Sequence, residues 1–325
     1  MVSFEEKIIK FELPTPFAVG DVNVYVVKGD ALTLIDAGVK TDAAWEAFTF
    51  QLAQHGLTPE DIEQVVLTHH HPDHVGFLEW LPEVPIYGHK YVRPWIEEDS
   101  IFFAAHDDFY RRLFKEFGLR GDMEKMLHIL KSPLQYCSTG PLAKEIVEGD
   151  KIPGLEKWSV LETPGHAQSH LSFFRENDGV MLSGDHLLAT ISSNPFLEPA
   201  LEPSSERPKP QLQYNESLEK LLELDVSVAY TGHGADIPRV HELVKRRLQR
   251  QHERALQVLE LLKNRQLTTF SITKELFPAV YQKELGLTLS ESTAQLDYLI
   301  SLDLIKKQVD DDGVAFFSAI DGVSR

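Results

Sequence analysis

Gln64-Val65-Val66-Leu67-Thr68-His69-His70-His71-Pro72-Asp73-His74 is the stretch on which the reading of this chain turns. Its first half is a short apolar, β-branched run, the pattern of a buried strand. Its second half places four histidines and one aspartate on the turn that follows. Alternate residues of an extended segment share a face, so His69, His71 and Asp73 point the same way. His74 comes next and can turn toward a second ion, while Pro72 stiffens the loop. Neutral imidazoles and carboxylates are ligands for zinc, iron and related ions. Burying them unpaired would be costly, which argues against a purely structural cluster. His70, set between ligands, is expected to point away from the site, either into packing or into the layer of residues that supports the ligands.

Further along, three more strand-like runs end in a ligand-type residue beside a glycine: Thr163-Pro164-Gly165-His166, Ser183-Gly184-Asp185 and Thr231-Gly232-His233-Gly234. Glycine permits the tight turn that aims a side chain off a strand end. Upstream, Val22–Val27 and Ala31–Ile35 read as a hairpin around Lys28-Gly29-Asp30, closed by Asp36-Ala37-Gly38. Asp36 is expected to support the turn rather than to bind metal. Thr41 to His55 has a helical pattern, with Thr41 or Asp42 as cap and Gly56 as stop. Pro85–Gly88, Ser159–Thr163, Leu171–Phe174, Gly179–Ser183 and Val226–Thr231 read as strands, and Glu216–Leu224 as a short helix. His170 and His186 lie close enough in sequence to the ligands to touch them or a substrate.

The set Asp36, His69-His70-His71-Pro72-Asp73-His74, His166, Asp185 and His233 closely resembles the motifs of the metallo-β-lactamase superfamily, over residues 20 to 235. The resemblance implies an α/β fold, an αββα sandwich with the site at one edge. It places His69, His71 and His166 on one ion and Asp73, His74 and His233 on the other, with Asp185 bridging. Two divalent ions are expected, zinc first, with iron or manganese also suited. The implied activity is dinuclear hydrolysis of an ester, thioester or lactone by a metal-bridging hydroxide, with Asp73 and Asp185 as the catalytic carboxylates. A bridging Asp argues against a true β-lactamase. The Tyr214-Asn215-Glu216-Ser217-Leu218 segment and the C-terminal tail look similar to β-lactamase-like protein 2 members, which include thioesterases and ribonucleases.

Two regions stand apart. Residues 95–131 hold Phe and Met at helical spacing and read as a helical insert. Within it His106 and Tyr110 belong either to the core or surface of a helical cap or to a lid over an apolar pocket. From Pro238 the pattern becomes helix, helix, helix, hairpin: Val240–Asn264, Ser271–Phe277, Ser290–Leu302, then Ile305–Val309 and Val314–Ser318. This is the layout of a winged helix, and it divides the chain into 1–237, catalytic, and 238–325, winged-helix-like. Pro195 to Pro210 holds five prolines and reads as coil.

The net charge of −18 disfavours a phosphate-backbone partner. The helix Val240 to Arg265 is locally basic, at +4. The expected recognition helix, however, carries Glu291, Asp297 and Asp303 without Lys or Arg, and the wing turn is Asp310-Asp311-Asp312. Nucleic-acid reading is therefore not expected; a packing, dimerisation or site-covering role is, which leaves a homodimer open. No apolar run is long enough to span a membrane, the N-terminus lacks the pattern of a signal peptide, and Cys137 stands alone. These point to the cytoplasm, while the Phe- and Met-rich insert and the acidic surface favour a small-molecule or acyl substrate. The competing functions are a metal-dependent endoribonuclease or phosphodiesterase, an iron-dependent redox or thiol dioxygenase-type protein, and a non-catalytic binding protein.

Overall fold

The computed structural model describes residues 6–201 and 206–320; Pro203 of the proline-rich stretch and the first five residues of the chain lie outside them. Strands β1 (Lys7–Leu13), β2 (Val22–Lys28) and β3 (Leu32–Ile35) form an antiparallel meander. The sheet continues in parallel through β4 (Gln64–Val66), β5 (Ile86–Gly88) and β6 (Leu142–Glu145). A second, five-stranded sheet runs β7 (Lys151–Ile152), β8 (Leu155–Glu162), β9 (Leu171–Arg175), β10 (Val180–Gly184) and β11 (Val228–Thr231). Only its β10–β11 pair is parallel. That pair is joined by a crossover containing α5 (Pro210–Leu221).

The two sheets bury one another's inner faces. Tyr25, Val27 and Val66 from the first meet Trp158, Phe173 and Leu182 from the second. On the outer face of the first sheet, α1 (Asp42–Gln54) inserts Phe48 and Leu52 beside Phe11 and Leu34. The hydroxyl of Thr41 accepts from the Ala44 N–H to cap this helix. On the outer face of the second sheet, α5 and α6 (Val240–Leu262) bury Leu218 and Val244 against Met181 and Ala229. The order is helix, sheet, sheet, helix.

The insert consists of α2 (Arg93–Ile96), α3 (Ser100–Glu116) and α4 (Met123–Lys131). The last segment contains α7 (Thr269–Leu276), α8 (Leu285–Ser301) and an antiparallel hairpin of β12 (Ile305–Val309) and β13 (Ala315–Ala319). Val258, Ile272, Leu299 and Phe317 share a core there. Yet α8 also sends Leu289 into the core of the insert, beside Phe109 and Phe114.

Several boundaries differ from the sequence reading. Helix α5 starts at Pro210, not Glu216, because proline fits a helix's first turn, where its missing N–H costs no bond. Strand β8 begins at Leu155 and α8 at Leu285. The short strands β6 and β7, four and two residues long, carry no alternation long enough to be legible.

Candidate metal centre

Five strand ends meet on one rim. Asp36 follows β3, His69–His74 follow β4, His166 follows β8, Asp185 follows β10 and His233 follows β11. The sheets are tied together at this rim: the Asn23 N–H donates to the Gly232 carbonyl at 2.7 Å, and Tyr25 Oη donates to the Thr231 carbonyl at 2.7 Å. All seven residues expected as ligands lie together here. His69, His71 and His166 form one trio, Asp73, His74 and His233 another, and within each the ligand-type atoms lie within 4.8 Å of one another. Asp185 reaches both trios: Oδ2 is 3.5 Å from His166 Nε2 and 3.4 Å from His233 Nε2, and Oδ1 is 3.5 Å from His74 Nε2.

Hydrogen bonding at the far side of each ring decides which nitrogen faces inward. His74 Nδ1 donates to Asp36 Oδ2 at 2.8 Å, His166 Nδ1 to the Asn194 carbonyl at 2.9 Å, and His233 Nδ1 to the Asp21 carbonyl at 2.8 Å. A carboxylate or carbonyl only accepts, so Nδ1 carries the proton and Nε2 keeps its lone pair. For His69 the logic takes one more step. The Thr68 hydroxyl donates its single proton to Asp36 Oδ2, so it must accept from His69 Nδ1, 2.9 Å away, leaving His69 Nε2 as the lone pair.

The fit to metal follows from these lone pairs. His69 Nε2 and His166 Nε2 sit 3.0 and 2.9 Å from His71 Nδ1. Two of the three are fixed as acceptors, and acceptors crowded this closely require a cation or a proton between them. His74 Nε2, Asp185 Oδ1 and His233 Nε2 are buried without any hydrogen-bond partner, a costly arrangement unless they coordinate an ion. Gly232 keeps the space free: a Cβ there would lie 2.1 Å from Asp185 Oδ1 and 3.0 Å from His74 Cε1.

The field divides the site. Burial, with the neighbouring imidazoles, holds His69 and His71 well below the usual histidine range, and burial lowers His166 as well, so this trio is neutral. Burial also opposes charge on His74 and His233, but the carboxylates around them outweigh it. Asp36, Asp185 and Asp73 hold His74 well above its ordinary value, and Asp185 with Asp73 pushes His233 up to about 10. Asp185, despite burial, is held well below the usual carboxylate range by His233 and His74. The second trio thus attracts positive charge of either kind, proton or metal.

The remaining histidines sort by what they touch. His70 stacks on Trp95 at 4.1 Å, pairs with Ser169 Oγ at 2.8 Å and lies 3.9 Å from Glu198. His170 Nε2 accepts from the Asp185 N–H at 3.1 Å, so it positions that ligand's backbone. His186 packs on Tyr214 and reaches no ligand through a hydrogen bond. His106 lies edge-on to Trp95, and Tyr110 Oη donates to the Leu197 carbonyl. Sequence reasoning missed Trp95, Phe196 and Glu198. Phe196 packs on both His71 and His166, at 4.7 and 5.4 Å between ring centroids. Glu198 is buried, which pushes its carboxyl up to about 8. Neither stood out in a proline-rich coil without periodicity.

The model of the metallo-β-lactamase superfamily matches residues 18–233. A Bacillus subtilis protein named as a "probable metallo-hydrolase", YqjP, is 44% identical over 312 residues, covering 96% of this chain and 98% of its own. A β-lactamase-like protein 2 homolog of Caenorhabditis elegans is 23% identical over 304 residues, 93% of this chain and 82% of that protein. Among solved structures, the metallo-β-lactamase family protein TTHA1429 of Thermus thermophilus superposes with a TM-score of 0.79 at 27% identity, over 96% of this chain and 98% of that one.

Proposed function

The chain belongs to the metallo-β-lactamase superfamily, and we propose that it acts there as a two-metal hydrolase of an ester, thioester or lactone with an apolar acyl part. The observation that carries this reading is Asp185, whose two oxygens reach His74, His166 and His233. A single closed zinc site would not need a carboxylate facing both trios. In this reading His69, His71 and His166 hold one ion, Asp73, His74 and His233 the other, and Asp185 both. When bound, such a pair of cations lowers the pKa of a water shared between them and polarises the scissile carbonyl.

The residues around the centre supply orientation and an apolar wall. Asp73 lies 3.3 Å from His233 Nε2 and holds the polar side of the site. Phe196 covers His71 and His166, and Trp95 with Phe102 and Phe103 extends an aromatic surface beside His70. This surface suits an acyl chain, and the charge of −18 disfavours a polyanion. The histidine-rich donor set suits zinc, with iron and manganese as competitors. Residues 238–325 read as a winged-helix-like unit, supported by the order α6, α7, α8, β12, β13. Among the described residues no helix is long and apolar enough to cross a membrane.

Elemental analysis of the purified protein, with turnover measured on thioester, lactone, phosphodiester and RNA substrates, tests the proposal. Two metal equivalents and thioester or lactone turnover are expected, with both lost in Asp185→Asn. RNA cleavage abolished by His71→Ala would overturn the substrate class, and full activity in Asp185→Asn the two-metal mechanism.

A further inference from the structure

The segment from His186 to Leu197 has no regular structure, yet it carries two groups that press on the metal centre. The Asn194 carbonyl accepts the Nδ1 proton of His166, and the Phe196 ring lies on His71 and His166. The Phe196 N–H also donates to the His166 carbonyl at 3.2 Å. What holds this segment comes largely from far along the chain. Arg247 on α6, itself buried, donates to the carbonyls of Leu188 at 2.9 Å and Ile191 at 2.5 Å. Its neighbour one turn on, Gln251, donates to Ser192 Oγ at 3.1 Å. From α8, the Leu287 carbonyl accepts from Asn194 Nδ2 at 3.2 Å, and Ser290 Oγ accepts from the Leu197 N–H at 3.2 Å.

We infer that α6 and α8 form a clamp that sets the His69/His71/His166 metal site through this segment, with Arg247 as its central positioning residue. The physical argument is short. An irregular loop pays a backbone entropy cost to stay in one conformation, and its polar groups must be satisfied if it is buried. Arg247 satisfies two of its carbonyls at once through the two hydrogens of one guanidinium nitrogen, Nη2, whose plane is held by the buried stem. The loop, so fixed, presents the Asn194 carbonyl where it keeps the proton on His166 Nδ1 and the lone pair on Nε2. The histidines of the second trio have no such tie: His74 is held by Asp36 and His233 by the Asp21 carbonyl, both from the first sheet's side of the rim, while Asp185, which reaches both trios, accepts from Ser193 Oγ of the segment through its backbone carbonyl. The clamp therefore acts more strongly on the first ion than on the second.

This inference rests on the two-metal reading only for its zinc arm. The test compares the full-length wild type with Arg247→Met, Arg247→Lys and Asn194→Ala. Arg265→Ala, which breaks an exposed ion pair with Glu275 in the same C-terminal segment, is the control. Hydrogen exchange of residues 188–197 is measured without added metal, and release of Zn2+ to a chelator is followed after loading. Arg247→Met and Asn194→Ala are expected to speed exchange of the Phe196 and Leu197 amides. They should also release one zinc equivalent about 10–100-fold faster, the usual loss when a ligand's outer partner is removed, while the second equivalent, which shares only Asp185 with the segment, is accelerated less. Arg247→Lys should recover part of both effects, and Arg265→Ala should show neither. Asn194→Ala removes a single half-buried side-chain tie and keeps the carbonyl, so it decides the matter if Arg247→Met does not fold. Faster exchange with unchanged zinc release, or equal acceleration of both zinc ions, would overturn the clamp. A wild type that takes up no zinc would sink the two-metal proposal instead, and the exchange arm would still show whether α6 and α8 hold the loop.

Discussion

At Asp36 the backbone has φ of 60°, in the left-handed region that Asp and Asn tolerate better than most side chains. Its carboxylate accepts from the Thr68 N–H at 2.7 Å, the Thr68 hydroxyl at 2.8 Å and His74 Nδ1 at 2.8 Å. One residue thereby fixes the start of the histidine turn and the tautomers of two candidate ligands, His69 and His74. Asp36→Asn keeps the backbone preference but must turn an NH2 toward one of these donors. Its expected effect is about a 10–100-fold loss of zinc affinity, read by chelator competition, with little change in secondary structure. Gly232→Ala should be more severe. A methyl 2.1 Å from Asp185 Oδ1 cannot be accommodated without moving that ligand. Loss of at least one bound ion and of activity is expected from elemental analysis and turnover, with circular dichroism little changed because the two shortest clashes are with side chains and the Gly184 carbonyl carbon lies farther, at 3.2 Å.

Among the elements, α8 links parts of the chain that sequence reading had kept separate. Its Ser290 and Leu287 meet the loop of the metal centre, Leu296 and Leu299 pack in the C-terminal core, and Leu289 packs in the core of the insert. Removing the Leu289 side chain leaves a cavity between insert and C-terminal segment. Leu289→Ala should cost about 2–5 kcal/mol. Because the insert and the C-terminal helices share that core, denaturation followed by hydrogen exchange at amides of α3 and at amides of α8 should shift together. A shift confined to one probe would show that the insert is stabilised independently.

For the molecule as a whole, stability against pH follows from which buried groups hold or refuse protons. Burial holds His69, His70, His71 and His170 well below the usual range, so the unfolded chain binds protons that the folded chain does not. That stability is present above the unfolded histidine value and is lost as pH falls below about 6.5. Glu198 has the opposite sign. Its carboxyl rises from 4.5 to about 8 through burial, so the folded chain keeps a proton that the unfolded chain releases. Its contribution is complete below 4.5 and is lost as pH rises through 8. Glu198→Gln removes this loss, and of the histidine contributions it touches that of His70, 3.9 Å away. The melting temperature of the variant should therefore gain on the wild type from pH 5 to 8 and level off above that. A constant difference across the range would show that Glu198 ionises normally in the folded protein.

The residues His69, His71, Asp73, His74, His166, Asp185 and His233 were legible in the sequence because their signals are local: a β-type run, a turn, a glycine beside a ligand-type side chain. The same holds for the hairpin β2–β3, for α1 with its Thr41 cap, and for the helical insert. Short strands such as β6 and β7 offered too few residues for a period to show. Nothing local could reveal that Arg247 holds a loop 59 residues earlier, that Asn194 accepts the proton of His166, or that Phe196 covers two ligands. Those partnerships arise only when the second sheet's rim, α6 and α8 close on one loop. The chain by itself determined which side chains could bind metal. The tertiary structure decided, for His69, His74, His166 and His233, which nitrogen faces inward and what keeps it there, because a ring's proton is placed by the acceptor behind it, and most of those acceptors come from distant sequence.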